Sequence, residues 1–292
     1  MSAEGWPRWR GEQVAPGVHW LPLADAAWRP RFGAHVTIIG TAQEAVVIDT
    51  GDDLDAPSAF IAGYLAGMGN PRLRAILLTH HHRDHSGGAA RLRALTGAPI
   101  LCHPLEVPLL AGEGGPERPA LTVDGTLEEG ALLRVGGVTI QAVHTPGHSP
   151  GHLCFFLPES GLMLTGDLVL GDATTSVSPP HGEMAALLAS LERLLQFPMT
   201  RILPGHGPPL TDPHAAVAGV LAHRREREAQ VLAALQAGFD RPATIVAAVY
   251  QGLAPDLVEL AGRQVQSILL KLAREGRVVA IGEGEEERWQ LA

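Results

Sequence analysis

Residues 79–85 read Thr-His-His-His-Arg-Asp-His. Within them His80, His82, Asp84 and His85 form the pattern H-x-H-x-D-H, directly after the apolar run Leu73 to Thr79. Neutral imidazoles and a carboxylate suit zinc, manganese or iron, and the lack of thiolate argues against a closed structural zinc site. Alternation along an extended segment turns His80 and His82 to one side. Asp84 and His85 follow as the chain enters a helix, where they reach a second position beside the first. By the same alternation His81 points away and reads as a neighbour. Taken alone, the run could be a solvated histidine-rich loop.

Three further fragments reduce that alternative. They are Thr145-Pro146-Gly147-His148-Ser149-Pro150-Gly151, Thr165-Gly166-Asp167 and Pro204-Gly205-His206-Gly207. Each sets one ligand type at the end of an apolar run, beside a glycine that permits a tight turn and close backbone approach. Two neighbouring divalent cations can polarise a substrate oxygen and steady a leaving group. A cation also lowers the pKa of bound water toward about 7, so a hydroxide nucleophile exists at neutral pH without a serine or cysteine. Asp84 is the candidate for proton handling as well as ligation.

The elements that must position these residues read as follows. Val18 to Leu23, His35 to Ile39 and Ala45 to Ile48 are strands, the last two joined at Gly40-Thr41. Ala56 to Met68 is a helix stopped by Gly69-Asn70-Pro71, Leu73 to Thr79 a buried strand, Gly88 to Leu95 a helix and Ala98 to Cys102 a strand. Residues 104–130, rich in Gly, Pro and Glu, read as a surface excursion. Strands return at Ala131 to Val135, Val138 to Val143, His152 to Leu157 and Leu162 to Thr165, then a helix at Glu183 to Leu195 and a strand at Thr200 to Leu203. Two similar halves of this kind imply two sheets packed face to face with helices outside. The texture changes after Gly207. A long helix from Pro213 to Leu235, helices at Thr244 to Val249 and Asp256 to Glu275, and a hairpin from Gly276 to Trp289 outline a winged helix, with the boundary placed near residue 220.

Composition narrows the function classes. The 292 residues carry a net charge of −9, which repels polyanions at long range and disfavours generic nucleic-acid coating. Cys102 and Cys154 sit in apolar runs and read as buried thiols in a reducing compartment. The N-terminus shows no apolar leader and no run reaches membrane-spanning length, so the expectation is a cytoplasmic protein with no membrane partner.

The ordered motifs resemble those of the metallo-β-lactamase superfamily across residues 18–210. The resemblance implies an α+β fold, the four-layer αββα sandwich, with a catalytic domain over residues 1–219 and a winged-helix-like domain over residues 220–292. It implies that His80, His82 and His148 bind one metal, that Asp84, His85 and His206 bind a second, and that Asp167 bridges the two. Asp49 matches an early family Asp that orders the histidine loop from behind. The implied cofactor is two divalent ions, zinc by default, with manganese or iron as alternatives. Where one class of secreted zinc β-lactamases has a Cys for the second metal, this chain has Asp167.

Gly171-Asp172-Ala173-Thr174-Thr175, the helix with His223 and Arg224, and Leu270 to Val278 resemble a small family of lactamase-like endoribonucleases ending in a winged helix. The first functional reading is therefore a two-metal hydrolase of phosphodiesters such as single-stranded RNA, with Arg224, Arg225, Arg263, Lys271 and Arg274 as phosphate contacts. The second is a hydrolase of small esters, thioesters or lactones, similar to glyoxalase II in its ligands. A metal-sensing DNA-binding regulator is the third; the balanced charge of Asp256 to Glu275 speaks against it. A homodimer through the C-terminal domain is an expectation only.

Overall fold

A computed structural model describes residues 10–23, 33–113, 120–282, 284 and 287–292. Most of the N-terminal segment read for a leader lies outside these residues. So do residues 114–119 of the Gly/Pro/Glu-rich stretch and Glu283, Glu285 and Glu286 of the expected hairpin tip.

The first sheet takes its strands in chain order: β1 (Glu12–Ala15), β2 (Val18–Leu21), β3 (Val36–Gly40), β4 (Glu44–Ile48), β5 (Arg72–Leu77), β6 (Ile100–Cys102) and β7 (Gly125–Thr126). Pairing is antiparallel from β1 to β4 and parallel from β4 to β7. Helices α1 (Asp55–Gly67), α2 (Arg83–Ser86) and α3 (Ala89–Thr96) fall in the parallel crossovers. The second sheet holds β8 (Leu132–Val135), β9 (Val138–His144), β10 (Leu153–Leu157), β11 (Leu162–Gly166) and β12 (Arg201–Pro204), in the order β12-β11-β10-β9-β8. Only β11 and β12 run parallel there.

Alternation assigns the faces. In β4, Val46 and Ile48 enter the core between the sheets with Ile140, Leu153, Phe155 and Leu164, whereas Ala45 and Val47 enter the core beneath Ile61, Leu65 and Leu92 of α1 and α3. Both faces of this sheet are covered, and its inner strands read as continuous apolar runs for that reason. Polar, edge-lying β1 shows no such run, and sequence reading passes over it. Cys102 and Cys154 are buried and not joined by a disulfide.

The chain divides into two compact units. One comprises residues 1–145, 151–173 and 198–213; the other comprises 146–150, 174–197 and 214–292. The second contains α4 (Met184–Leu194), α5 (Pro213–Gln236), α6 (Pro242–Val249), α7 (Val258–Arg274) and the hairpin of β13 (Val278–Ile281) with β14 (Arg288–Leu291). Helix α5 runs unbroken through residue 220. Ala261, Val265, Ile268, Leu269 and Leu272 form the buried stripe of α7. Among the described residues no helix is long and apolar enough to cross a membrane.

Candidate metal centre

Each ligand motif begins where a strand stops. His80 lies three residues past Leu77 at the end of β5, His148 follows β9, Asp167 follows β11 and His206 follows β12. Asp84 and His85 lie on the short helix α2. The tight turns depend on glycine. A Cβ on Gly205 would come within 2.8 Å of His85 Cε1 and 2.9 Å of Asp167 Oδ1, so any larger residue would displace the ligands.

The structure brings six of the seven expected ligands into two groups within the first compact unit. His80, His82 and Asp167 each offer one ligand atom, all within 4.8 Å of one another, and so do Asp84, His85 and His206. His148 lies on the turn of residues 146–150, in the second unit. Asp167 reaches the second group too, with Oδ1 3.2 Å from His85 Nε2 and 3.3 Å from His206 Nε2. Asp84 Oδ2 lies 3.2 Å from His206 Nε2. His80 Nε2 faces His82 Nδ1 at 2.9 Å, and His85 Nε2 faces His206 Nε2 at 3.3 Å.

Partners behind the rings set which nitrogen faces inward. The Nδ1 of His80 lies 3.0 Å from Thr79 Oγ1, that of His85 2.7 Å from Asp49 Oδ2, and that of His148 2.7 Å from the Ser176 carbonyl. With Nδ1–H donating outward, each Nε2 lone pair is left for the centre. Asp49 sits in the left-handed backbone region at φ 57°. From there its carboxylate accepts from the Thr79 amide at 2.8 Å, the Thr79 hydroxyl at 2.8 Å and the His85 ring. This is the ordering contact expected of Asp49.

The donor set fits divalent cations. Burial pushes the His85 pKa down, but Asp167, Asp84 and Asp49 overcome it and hold the ring well above its ordinary value. His206 is raised in the same way, burial being outweighed by Asp167 and Asp84. For Asp84, burial opposes the charged form, and His85 and His206 outweigh it to keep the carboxyl below its usual range. The pocket thus draws in positive charge, and imidazole and carboxylate are what zinc, manganese or iron would take.

Other supports lay outside the sequence reading. Glu106, from the stretch expected to cross the surface, is fully buried. It bonds the His81 ring and the amides of His81 and Gly151. His35 carries no motif, yet its Nε2 donates to the Gly207 carbonyl at 2.9 Å, next to His206. His152 is fully buried and accepts from the Asp167 amide at 3.1 Å. His144 stacks on His103 with centroids 4.0 Å apart. No spacing rule marks these residues, and only His144 and His152 are adjacent to a readable motif.

The basic side chains expected to contact phosphate are engaged elsewhere. Arg225 pairs with Glu192, Arg263 with Glu259, Lys271 with Glu228 and Glu275, and Arg274 with Glu183. Arg224 is buried at 5% exposure. Their carboxylate partners lie in α4, α5 and α7 or at the ends of α4 and α7, which sequence spacing shows only for i,i+4 pairs such as Glu259–Arg263.

Histidine and aspartate side chains gathered at strand ends and on a short helix form the kind of site that metal-dependent hydrolases use. The family model of the metallo-beta-lactamase superfamily matches residues 29–206, and the chain belongs to that superfamily. A model of the beta-lactamase associated winged helix domain matches residues 242–289. An atrochrysone carboxyl ACP thioesterase of Cryptosporiopsis sp. is 32% identical over 225 residues, which are 77% of this chain but only 65% of that relative. An atrochrysone carboxyl ACP thioesterase of Emericella nidulans is 31% identical over 261 residues, 88% of this chain and 80% of the relative. A beta-lactamase domain protein from Burkholderia ambifaria has a similar fold, with a TM-score of 0.82 over 99% of this chain and 96% of that one at 23% identity.

Proposed function

We propose that the protein hydrolyses acyl thioesters, the acyl group being carried on coenzyme A or a carrier protein. The observation that carries a hydrolytic centre is Asp167, which stands with His80 and His82 and also within 3.3 Å of both His85 and His206. His80, His82 and His148 would hold one divalent cation, Asp84, His85 and His206 the other, and Asp167 both. When bound, such cations polarise a carbonyl and lower the pKa of water. Zinc is the default, with manganese or iron as alternatives.

The chain's own residues supply the rest. Thr79, Asp49 and the Ser176 carbonyl hold the imidazoles at fixed angles. Asp84, a quarter exposed and kept ionised, is the carboxylate placed to take a proton during attack, at the oxygen not turned to the cation.

Two observations support a thioester over a phosphodiester. The two curated relatives described above are named as carrier-protein thioesterases, and they align over most of this chain. Arg225, Arg263, Lys271 and Arg274 of the second unit are each paired with a carboxylate of the chain, which competes with the phosphate contacts that RNA backbone binding needs.

The experiment follows thiol release from acyl-coenzyme A and from an acylated carrier protein, with labelled single-stranded RNA in parallel and His82→Ala as the contamination control. Thiol release that disappears in His82→Ala supports the reading. RNA cleavage that disappears in the variant, without thiol release from wild type, overturns it in favour of a phosphodiesterase.

A further inference from the structure

Arg224 and Arg225 are neighbours on α5 with opposite fates. Arg225 is 63% exposed at its side chain, whereas Arg224 is 5% exposed. Among the described residues no carboxylate pairs with Arg224. Burial pulls its pKa down to about 10, against a small opposing effect of Tyr250. A guanidinium buried without a counter-ion is costly, and its retention calls for a use.

Its bonds indicate that use. Nη1 donates to Gln264 Oε1 on α7 at 2.8 Å, and Nη2 donates to the Thr175 carbonyl. Nε has no partner, so the two Nη groups carry the contact. Thr175 is itself buried, and its Oγ1 lies 3.3 Å from His148 Nδ1. The next carbonyl, that of Ser176, accepts from the same Nδ1 at 2.7 Å. The guanidinium therefore grips the peptide that joins the two residues behind the His148 ring. All five residues belong to one compact unit.

We propose that Arg224, anchored by Gln264, is a positioning residue for the metal centre: it fixes the Thr175–Ser176 peptide and through it the angle and tautomer of His148. The inference rests on His148 being a ligand, as the proposed function has it. It gives the C-terminal helices a part in the chemistry that does not involve nucleic acid. Outer partners of metal-bound histidines typically contribute 10–100-fold to metal affinity.

The test is a competition titration of the full chain with Zn2+ and a chromophoric chelator, which resolves the two binding steps. It is run on wild type, Arg224→Met, Gln264→Leu and His148→Ala. The expected result is that Arg224→Met weakens one step by about 10–100-fold, leaves the other within about threefold, and affects the same step as His148→Ala. Gln264→Leu, which frees one arm of Arg224, weakens that step by less and decides the matter if Arg224→Met does not fold. A merely structural arginine would lower the unfolding midpoint and leave both steps unchanged or weaken them equally; either outcome overturns the proposal. If His148→Ala itself leaves both steps unchanged, the ligand assignment fails instead, and the two failures are told apart.

Discussion

Glu106 Oε2 lies 2.5 Å from His81 Nδ1 and 2.8 Å from the His81 amide, while Oε1 takes the Gly151 amide at 2.6 Å. One buried carboxylate thus ties the loop of His80 and His82 to the turn that follows His148. Glu106→Gln keeps the shape but turns an amide donor toward at least one of these donors. Leaving a buried donor unpaired costs about 1–3 kcal/mol, so the urea midpoint should fall accordingly. Metal affinity should fall with it, because both loops carry proposed ligands. Unchanged stability and affinity would show that the anchor is dispensable.

Asp49→Asn should act more on the metal than on the fold. The change removes charge from the acceptor of His85 Nδ1 and of both Thr79 donors. Metal affinity is expected to drop about 10–100-fold, read by chelator competition, with the circular dichroism spectrum preserved.

Asp167→Ala tests the shared carboxylate. Loss of both metal equivalents and of activity is expected from elemental analysis and assay. Two retained equivalents per chain would refute the bridging assignment, since Asp167 stands in reach of both groups. Removing metal from wild type with a chelator should abolish hydrolysis, and adding zinc or manganese back should restore it.

His35 predicts an acid-dependent stability. Burial first, then the nearby His206 and His85, pull its pKa down to about 4, and the bond to the Gly207 carbonyl opposes them only in part. The folded protein therefore keeps the ring neutral while the unfolded chain takes up a proton near the ordinary value. The contribution is complete above pH 6.5 and is lost as pH falls toward 4, amounting to at most about 3 kcal/mol. In metal-free protein, wild type should lose more stability than His35→Gln between pH 7 and pH 4, as read from urea midpoints. Parallel losses would remove His35 from the account.

The sequence by itself pointed to the candidate ligands. His80, His82, Asp84, His85, His148, Asp167 and His206 were legible because each stands in a short motif with glycine or histidine neighbours at the end of an apolar run, a local signal. The sheets were legible for the same reason: β3, β4, β10 and β11 are buried along nearly their whole length and read as apolar runs. Tertiary structure alone decided what stands behind the ligands. Glu106 is 25 residues from His81, and Arg224 is 49 from Thr175. Neither carries a spacing rule, and a buried Glu or Arg looks in sequence like a solvated one. Spacing also could not show that Arg225, Lys271 and Arg274 are held by carboxylates 33, 43 and 91 residues away. A motif records what must lie adjacent along the chain, whereas burial and pairing depend on which distant segments the fold brings together.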